Sequence, residues 1–219
     1  MLMQTSVCVL CDFDGTICET EVLGFLFREY AACGMEHVIR WQRGEIDMRE
    51  EIAATFQTIT ATREEMERGL DQLIIPQDFI HFLQVCRARQ YQFAVLSDGL
   101  EWYIRYLLAR HGVGDIPVYA NHLYFEQKGI RLEFPWFSEN ESRRGVCKSC
   151  IVRRYREQYN QVIYIGDGES DIHAVAEADL VFARNWLAEY CQENGIPAHR
   201  FSTWGELLSK WVSVLGREG

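Results

Sequence analysis

Nearly continuous apolar runs recur along this chain, and amphipathic helical patterns separate them. An apolar run in which polar and apolar residues do not alternate is typical of a strand buried on both faces of a parallel sheet. Such strands are predicted at residues 7–11, 91–96, 162–165 and 180–183, and residues 117–125 and 129–134 predict a hairpin. Helices are predicted to begin at Pro76, near Leu100 and at Lys148, and to cover residues 186–194 and 204–215. This alternation predicts an α/β fold with a doubly wound parallel sheet.

The segment between the first two strands is different. Residues 17–75 show helical periodicity and no convincing strand, and Thr62 with Glu65 forms a capping-box pattern that predicts the start of a helix. We expect this segment to be an inserted helical cap domain. Residues 1–16 and 76–219 would then form a Rossmann-like core.

Length and charge narrow the function classes. A chain of 219 residues accommodates one large domain or a core with a small insertion. Its formal net charge of −10 argues against general nucleic-acid binding, which usually requires a basic surface. No run reaches the roughly 18 apolar residues of a membrane span, and the first residues lack the basic start of a signal peptide. We therefore expect a cytoplasmic protein, a monomer or homodimer, that binds neither nucleic acid nor membrane.

The eight cysteines include two C-x-x-C pairs, Cys8/Cys11 and Cys147/Cys150. In a cytoplasmic protein we expect them to be reduced. Two such pairs could suggest zinc, but Cys8 and Cys11 are three residues apart on a predicted strand, so their side chains should point to opposite faces. We interpret them as small core residues and disfavour a zinc site.

Four aspartates follow predicted strands. Asp12 and Asp14 come directly after the first strand, and Asp167 and Asp171 follow the strand at 162–165. An Asp-Gly pair alone would predict a turn. Because the carboxyl ends of parallel strands open on one crevice, we expect these carboxylates to lie close together. Such carboxylates repel one another, and we expect a hard divalent cation, Mg²⁺, to relieve the repulsion.

Two further residues suit a phosphoryl group. Ser97 follows the second buried strand, and Lys148 opens a helix. A hydroxyl and an ammonium group beside a metal can hold the oxygens of a transferred phosphoryl group. Ser97 by itself could equally be the residue that begins the next helix. Together these residues predict a site for a transferred phosphoryl group.

These motifs resemble those of the haloacid dehalogenase superfamily. The resemblance rests on the stretch from Asp12 to Thr16, on Ser97, on Lys148, and on the stretch from Gly166 to Asp171, in the order that the superfamily shows. It covers nearly the whole chain, and four motifs in order are far more specific than any one of them. The resemblance implies a Rossmann-like core with a helical cap inserted after the first strand.

The resemblance also implies roles for the site residues. Asp12 would be the nucleophile that forms an aspartyl-phosphate, and Asp14 would protonate the leaving oxygen and then activate water. The phosphoryl oxygens would be held by Ser97, Asp98 and Lys148. Asp12, Asp167 and the backbone carbonyl of Asp14 would bind Mg²⁺, while Asp171 would orient Lys148 or metal-bound water.

Two groups within the superfamily are similar to this chain. In the phosphoserine phosphatases an acid that matches Glu21 meets the substrate, but the cap arginine that binds the substrate carboxylate is replaced here by Thr55. The methionine-salvage phosphatases, which act on a keto-enol phosphate, resemble it more closely from Ser97 to Tyr103. The resemblance implies a Mg²⁺-dependent phosphatase that acts on a small phosphorylated metabolite. The alternatives are a phosphoserine phosphatase, a phosphotransferase, or a catalytically silent binding protein with this fold.

Some conspicuous residues receive a plainer interpretation. Trp102, Tyr103 and Tyr106 are aromatic residues of a kind found more often in a core or an interface than around a substrate. Arg143 and Arg144 form a small basic cluster on an acidic protein, which favours a solvated face.

Overall fold

A seven-stranded sheet forms the centre of the computed structural model, which describes residues 6–33, 35–127, 129–141 and 143–215. The strand order is β4-β3-β2-β1-β5-β6-β7; β3 and β4 are antiparallel, and the other neighbours are parallel. The strands are β1 Val7–Cys11, β2 Gln92–Leu100, β3 Val118–Glu126, β4 Gly129–Glu133, β5 Gln161–Gly166, β6 Leu180–Ala183 and β7 His199–Arg200. This is the doubly wound α/β fold that the hydrophobic pattern predicts.

Ten α-helices accompany the sheet within the described residues. Those before β2 are α1 Val22–Tyr30, α2 Glu36–Gln42, α3 Met48–Phe56, α4 Arg63–Leu70 and α5 Gln77–Ala88. Those after it are α6 Glu101–Arg110, α7 Lys148–Arg156, α8 Ile172–Val175, α9 Asn185–Glu193 and α10 Trp204–Leu215. The predicted capping box at Thr62 and Glu65 is present, and it begins α4.

The sheet departs from prediction in two places. Strand β2 runs on to Leu100, so Ser97 to Gly99 lie inside its last, irregular part, where its register with β3 shifts between Leu96 and Leu100. The extension depends on pairing with β3, which local sequence does not reveal. Strand β7 was not predicted because its two residues, His199 and Arg200, are polar and exist as a strand only by pairing with β6.

The cysteines confirm one expectation and overturn another. Cys8 packs in the hydrophobic cluster on one face of the sheet and Cys11 in the cluster on the other, so this pair cannot share a metal ion. Cys147 and Cys150, predicted to be reduced, are joined by a disulfide instead, with Cα atoms 5.3 Å apart. Residues i and i+3 at a helix start share a face, and this places the two sulfur atoms together.

Helices α1 to α4 occupy the segment predicted as a cap. They contain no strand in the described residues, and their buried apolar residues, such as Ile52 and Leu70, belong to the same hydrophobic cluster as Phe13 and Phe79 of the sheet side. Shared burial of this kind holds α1, α3 and α4 against the sheet, and α2 packs on the same cluster through the partly buried Val38 and Trp41.

No helix in the described part of the chain combines the length and the apolar character needed to cross a membrane.

Candidate active site

The site lies where β1 sits between β2 and β5, at the point where the strand order reverses. All three strands are parallel, so their carboxyl ends open on one crevice. The backbone N–H of Asp12 donates to the carbonyl of Ile165 at 2.9 Å. This bond continues the pairing of β1 with β5 and holds Asp12 at the carboxyl end of β1. The side chain of Asp12 is 5% exposed.

Lys148 joins the first strand to the last motif. Its Nζ lies 2.9 Å from Asp12 Oδ1 and 2.7 Å from Asp171 Oδ1, and it also donates to Ser170 at 3.1 Å. Burial alone would lower the pKa of Lys148, which is 1% exposed, but Asp12 and Asp171 raise it above its ordinary value. The ammonium group therefore stays charged between two carboxylates.

Asp171 is held on every side. Besides Lys148, its Oδ1 accepts from the hydroxyl of Tyr164 at 2.7 Å, and its Oδ2 accepts from the backbone N–H groups of Asp167 at 3.0 Å and Gly168 at 3.1 Å. A carboxylate with four donors has little capacity left for a further ligand. This geometry suits orientation of Lys148.

Asp12, Asp167 and Asp171 form a cluster whose ligand atoms all lie within 4.8 Å of one another. Burial, and then the charge of Asp171, raises the pKa of both Asp12 and Asp167. Asp167 is steadied by the hydroxyl of Thr16, which donates to Oδ1 at 2.9 Å. Carboxylate oxygens gathered this closely favour a further cation beside Lys148, and the oxygens of Asp12 and Asp167, which keep more free acceptor positions than those of Asp171, fit Mg²⁺.

Asp14 faces away from that cluster. Its Oδ1 accepts from the N–H of Val22 at 2.9 Å, and its Oδ2 accepts from the Tyr103 hydroxyl at 2.5 Å. Burial, and then the nearby charge of Glu21, raises the pKa of Asp14 to about 7, against the lowering effect of the Tyr103 hydrogen bond. A carboxyl group with such a pKa can exchange a proton near neutral pH.

Ser97 and Asp98 lie in the irregular end of β2. The Ser97 hydroxyl accepts from the N–H of Gly99 at 3.0 Å and lies 3.5 Å from Asp14 Oδ2, at the rim of the crevice. The Asp98 carboxylate instead accepts from the N–H of Val146 at 2.9 Å. A contact of Asp98 with phosphate is therefore left to its backbone N–H.

Above the strand ends, a cavity of about 390 Å³ separates the sheet from helices α1 to α3. Its upper wall is mostly apolar and includes Leu23, Phe27, Met35, Val38, Trp41 and Met48, with Gly24 and Gln42 beside them. This upper wall also has two acidic side chains, Glu21 and Glu51. Glu21 begins α1, and its carboxylate accepts from the N–H of Gly24 at 2.7 Å while remaining exposed to the cavity.

Sequence reasoning missed several residues of this site. Tyr103, expected in a core or interface, is fully buried and bonded to Asp14; its place in the first turn of a helix that follows a motif strand was the available signal. Arg144, expected on a solvated face, has only 13% of its side chain exposed and lines the cavity. Trp41 and Glu51 gave no signal, because only the packing of the helices turns them inward.

Comparisons with known proteins give a family match and named relatives. The model for haloacid dehalogenase-like hydrolases matches residues 9–176. The 2-hydroxy-3-keto-5-methylthiopentenyl-1-phosphate phosphatase of Bacillus thuringiensis (strain Al Hakam) is 30% identical over 218 residues, which cover 96% of this chain and 98% of that protein. The protein of the same name from Brevibacillus brevis is 26% identical over 211 residues, covering 94% and 95%.

Solved structures show the same fold. A substrate-bound phosphoserine phosphatase superposes with a TM-score of 0.71 at 18% identity, over 95% of this chain and 99% of that one. A probable phosphoserine phosphatase from Vibrio cholerae gives a TM-score of 0.74 at 18% identity, over 99% of this chain and 68% of that one. The family match covers well over half of the sequence, including Asp12, Asp14, Lys148 and Asp167. The chain therefore belongs to the haloacid dehalogenase-like hydrolases.

Proposed function

We propose that this phosphatase is a Mg²⁺-dependent phosphomonoester hydrolase that acts on a small metabolite through an aspartyl-phosphate on Asp12. One observation carries the proposal. Lys148 and the N–H of Phe13, at 2.9 and 2.7 Å, both engage Asp12 Oδ1, and no described group bonds Oδ2. One oxygen is thus anchored, and the other is available for attack on phosphorus.

The chemistry follows from the two carboxylates. Asp12 Oδ2 would form a bond to phosphorus while the bond from phosphorus to the ester oxygen breaks, and protonated Asp14 would give its proton to the leaving alcohol. The ionised Asp14 would then take a proton from water, whose oxygen attacks phosphorus and breaks the bond to Asp12. The products are inorganic phosphate and free Asp12, with Asp14 protonated again.

Asp12, Asp167 and the backbone carbonyl of Asp14 would hold Mg²⁺, which supplies positive charge near the phosphoryl oxygens when bound. Ser97, the N–H of Asp98 and Lys148 would hold those oxygens, and Asp171 would keep Lys148 in place. The residue roles rest on family membership together with the donor sets described above.

The methionine-salvage keto-enol phosphate is the substrate that we propose, because relatives that span nearly all of this chain carry that name. The mostly apolar upper wall, which includes Met35, Val38 and Trp41, suits a leaving group with an apolar tail. Residues 17–75 would act as a cap that selects the leaving group.

Phosphoserine is the second candidate, since solved phosphoserine phosphatases share the fold. Thr55 argues against it, because this residue is fully buried and brings no charge for a substrate carboxylate. Phosphoserine is therefore included in the substrate panel that tests the proposal.

The test is hydrolysis of p-nitrophenyl phosphate and of a phosphometabolite panel, with Mg²⁺ and with chelator, by wild type and Asp12→Asn. We expect Mg²⁺-dependent turnover that falls by at least about 10³-fold in Asp12→Asn, because an amide cannot form the acyl-phosphate. Activity of Asp12→Asn within tenfold of wild type would overturn the mechanism. Absence of any turnover by wild type would favour a silent binding protein.

A further inference from the structure

Glu51 is a buried acid that the catalytic chemistry does not use. It lies on α3, is 3% exposed and lines the upper wall of the cavity above the strand ends. Across residues 6–33, 35–127, 129–141 and 143–215, no hydrogen bond or ion pair engages its carboxyl group. A carboxyl group that has no protein partner and faces a ligand-sized cavity is available to hydrogen-bond a ligand there.

The charges around Glu51 restrict what that ligand can be. The described wall of the cavity has seven acidic side chains, Asp12, Asp14, Glu21, Glu51, Asp98, Asp167 and Glu169. Its one described basic side chain is Arg144, which pairs with Glu169 at 3.3 Å. A carboxylate on the leaving group would therefore meet net repulsion from these acids, because the one described cation, Arg144, is already paired with Glu169.

The protonation state of Glu51 also favours an uncharged ligand. Burial, and then the charge of Glu21, raises its pKa to about 8. At neutral pH the group is mostly a neutral carboxylic acid, which both donates and accepts a hydrogen bond. A hydroxyl or carbonyl oxygen offers the complementary groups, whereas an anion would suppress ionisation further.

We propose that Glu51 is a specificity residue, which hydrogen-bonds a hydroxyl group of an uncharged leaving group and excludes leaving groups that carry a carboxylate. This deepens the proposed function and rests on it. A site built to bond a substrate hydroxyl discriminates strongly against an analogue that lacks it, because a buried polar group is then left unpaired. Thr55 leaves a carboxylate without a partner, and Glu51 adds repulsion when it is ionised.

A matched set of five-carbon phosphomonoesters tests the proposal. Ribitol 5-phosphate carries hydroxyls, ribonate 5-phosphate replaces the terminal CH₂OH by a carboxylate, pentyl phosphate lacks both, and 5-aminopentyl phosphate carries an ammonium. The readout is kcat/KM for each ester with wild type, Glu51→Gln, Glu51→Leu and the exposed cap variant Glu64→Gln as control. Hydrolysis of p-nitrophenyl phosphate by the same preparations tests the proposed function separately.

We expect wild type to prefer ribitol 5-phosphate over ribonate 5-phosphate by at least about tenfold, roughly 1.4 kcal/mol. At pH 9, above the pKa of Glu51, Glu51→Gln keeps the shape and removes the charge, so it should reduce that preference several-fold. Glu51→Leu should abolish the preference for ribitol 5-phosphate over pentyl phosphate, and Glu64→Gln should change neither ratio.

Three results would overturn the assignment. Ratios that are equal in wild type and Glu51→Gln, with p-nitrophenyl phosphate still hydrolysed, would refute the role of Glu51 and leave the proposed function intact. A preference for 5-aminopentyl phosphate that disappears in Glu51→Gln would show that the wall binds a cation. Failure of wild type on every ester, p-nitrophenyl phosphate included, would remove the proposed function and this inference with it.

Discussion

The side chain of Asp14 accepts two hydrogen bonds and has a raised pKa. Val22 and Tyr103 hold its two oxygens, so its carboxyl group is oriented before any substrate arrives. This arrangement suits a group that donates a proton to a leaving oxygen. The pKa of about 7 keeps a large protonated fraction at neutral pH.

The variant Asp14→Asn should therefore lose most on poor leaving groups. An amide can keep an acceptor for Val22, but it cannot donate a proton to an alkoxide. General acid catalysis contributes about 10²–10⁴-fold, so we expect alkyl phosphates to lose at least about tenfold more than p-nitrophenyl phosphate, whose leaving group needs little protonation. The measurement is kcat/KM over a series of leaving-group pKa values. Equal losses across the series would argue against the acid role.

Glu51 predicts how stability changes with pH. Its pKa is about 8 in the folded protein and 4.5 when unperturbed, so the folded state binds the extra proton between these values. The contribution of Glu51 to the free energy of unfolding must then fall as the pH rises from about 4.5 to 8. The described charge that acts on it is Glu21, a second acid, which strengthens the effect.

Glu51→Gln removes this proton linkage. The difference in free energy of unfolding between variant and wild type should be about 2 to 3 kcal/mol more in favour of the variant at pH 9 than at pH 6. This corresponds to roughly two pKa units. Urea unfolding at the two pH values measures it, with Glu64→Gln as the exposed control. A gain that does not depend on pH would show that Glu51 titrates normally.

At the scale of elements, the end of β2 and the loop before α7 depend on one carboxylate. Asp98 Oδ1 accepts from the N–H of Val146, a fully buried residue two positions before Lys148. The carbonyl of Asp98 accepts from the side chain of Asn121 on β3 at 2.6 Å. One residue thereby connects two strands to the helix that carries the lysine.

Asp98→Ala should loosen this connection. A buried N–H without a partner costs about 1–3 kcal/mol, and we expect that loss in the free energy of unfolding, together with a fall in kcat as Lys148 loses its position. Asp98→Asn retains an acceptor oxygen and is the matched control, with a smaller loss of both. Urea unfolding and steady-state kinetics distinguish them. If Ala and Asn behave alike, the contact with Val146 has no structural importance.

Over the whole molecule, the like charges at the strand ends oppose folding. Asp12, Asp167 and Asp171 bring three carboxylates within 4.8 Å, with Lys148 as their described cation. Close pairs of this kind repel by a few kcal/mol at the effective dielectric near a protein surface, roughly 4 kcal/mol for unit charges 4 Å apart. The site trades stability for the ability to bind a cation and a phosphate.

Asp167→Asn should therefore raise the melting temperature of metal-free protein while it harms catalysis. Mg²⁺ binds only the assembled site, so it should stabilise wild type as the site fills and stabilise the variant far less. Thermal unfolding in chelator and in Mg²⁺ tests both statements, with the exposed variant Asp115→Asn as control. A variant that melts lower in chelator and gains as much from Mg²⁺ as wild type would contradict the shared site.

The order of the motifs was accessible from sequence because each has a local physical cause. The run from Val7 to Cys11 is buried on both faces, so it predicts an inner strand, and the polar residues that follow it must lie at the sheet edge. The same reasoning located Asp167 after β5 and Lys148 at the start of α7. The division into core and cap remains a prediction, since the hydrophobic cluster is continuous between them.

By itself the sequence determined the α/β alternation, the strand ends where chemistry collects, and the residue types of Asp12, Asp14, Lys148 and Asp167, because burial and charge act within a few residues of each position. The tertiary structure decided which distant groups meet these residues. Tyr103 reaches Asp14, and Glu51 faces the cavity, only because α6 and α3 pack over particular strand ends. Helical periodicity marks a side chain as turned inward, but it does not say what occupies the other side of the interface.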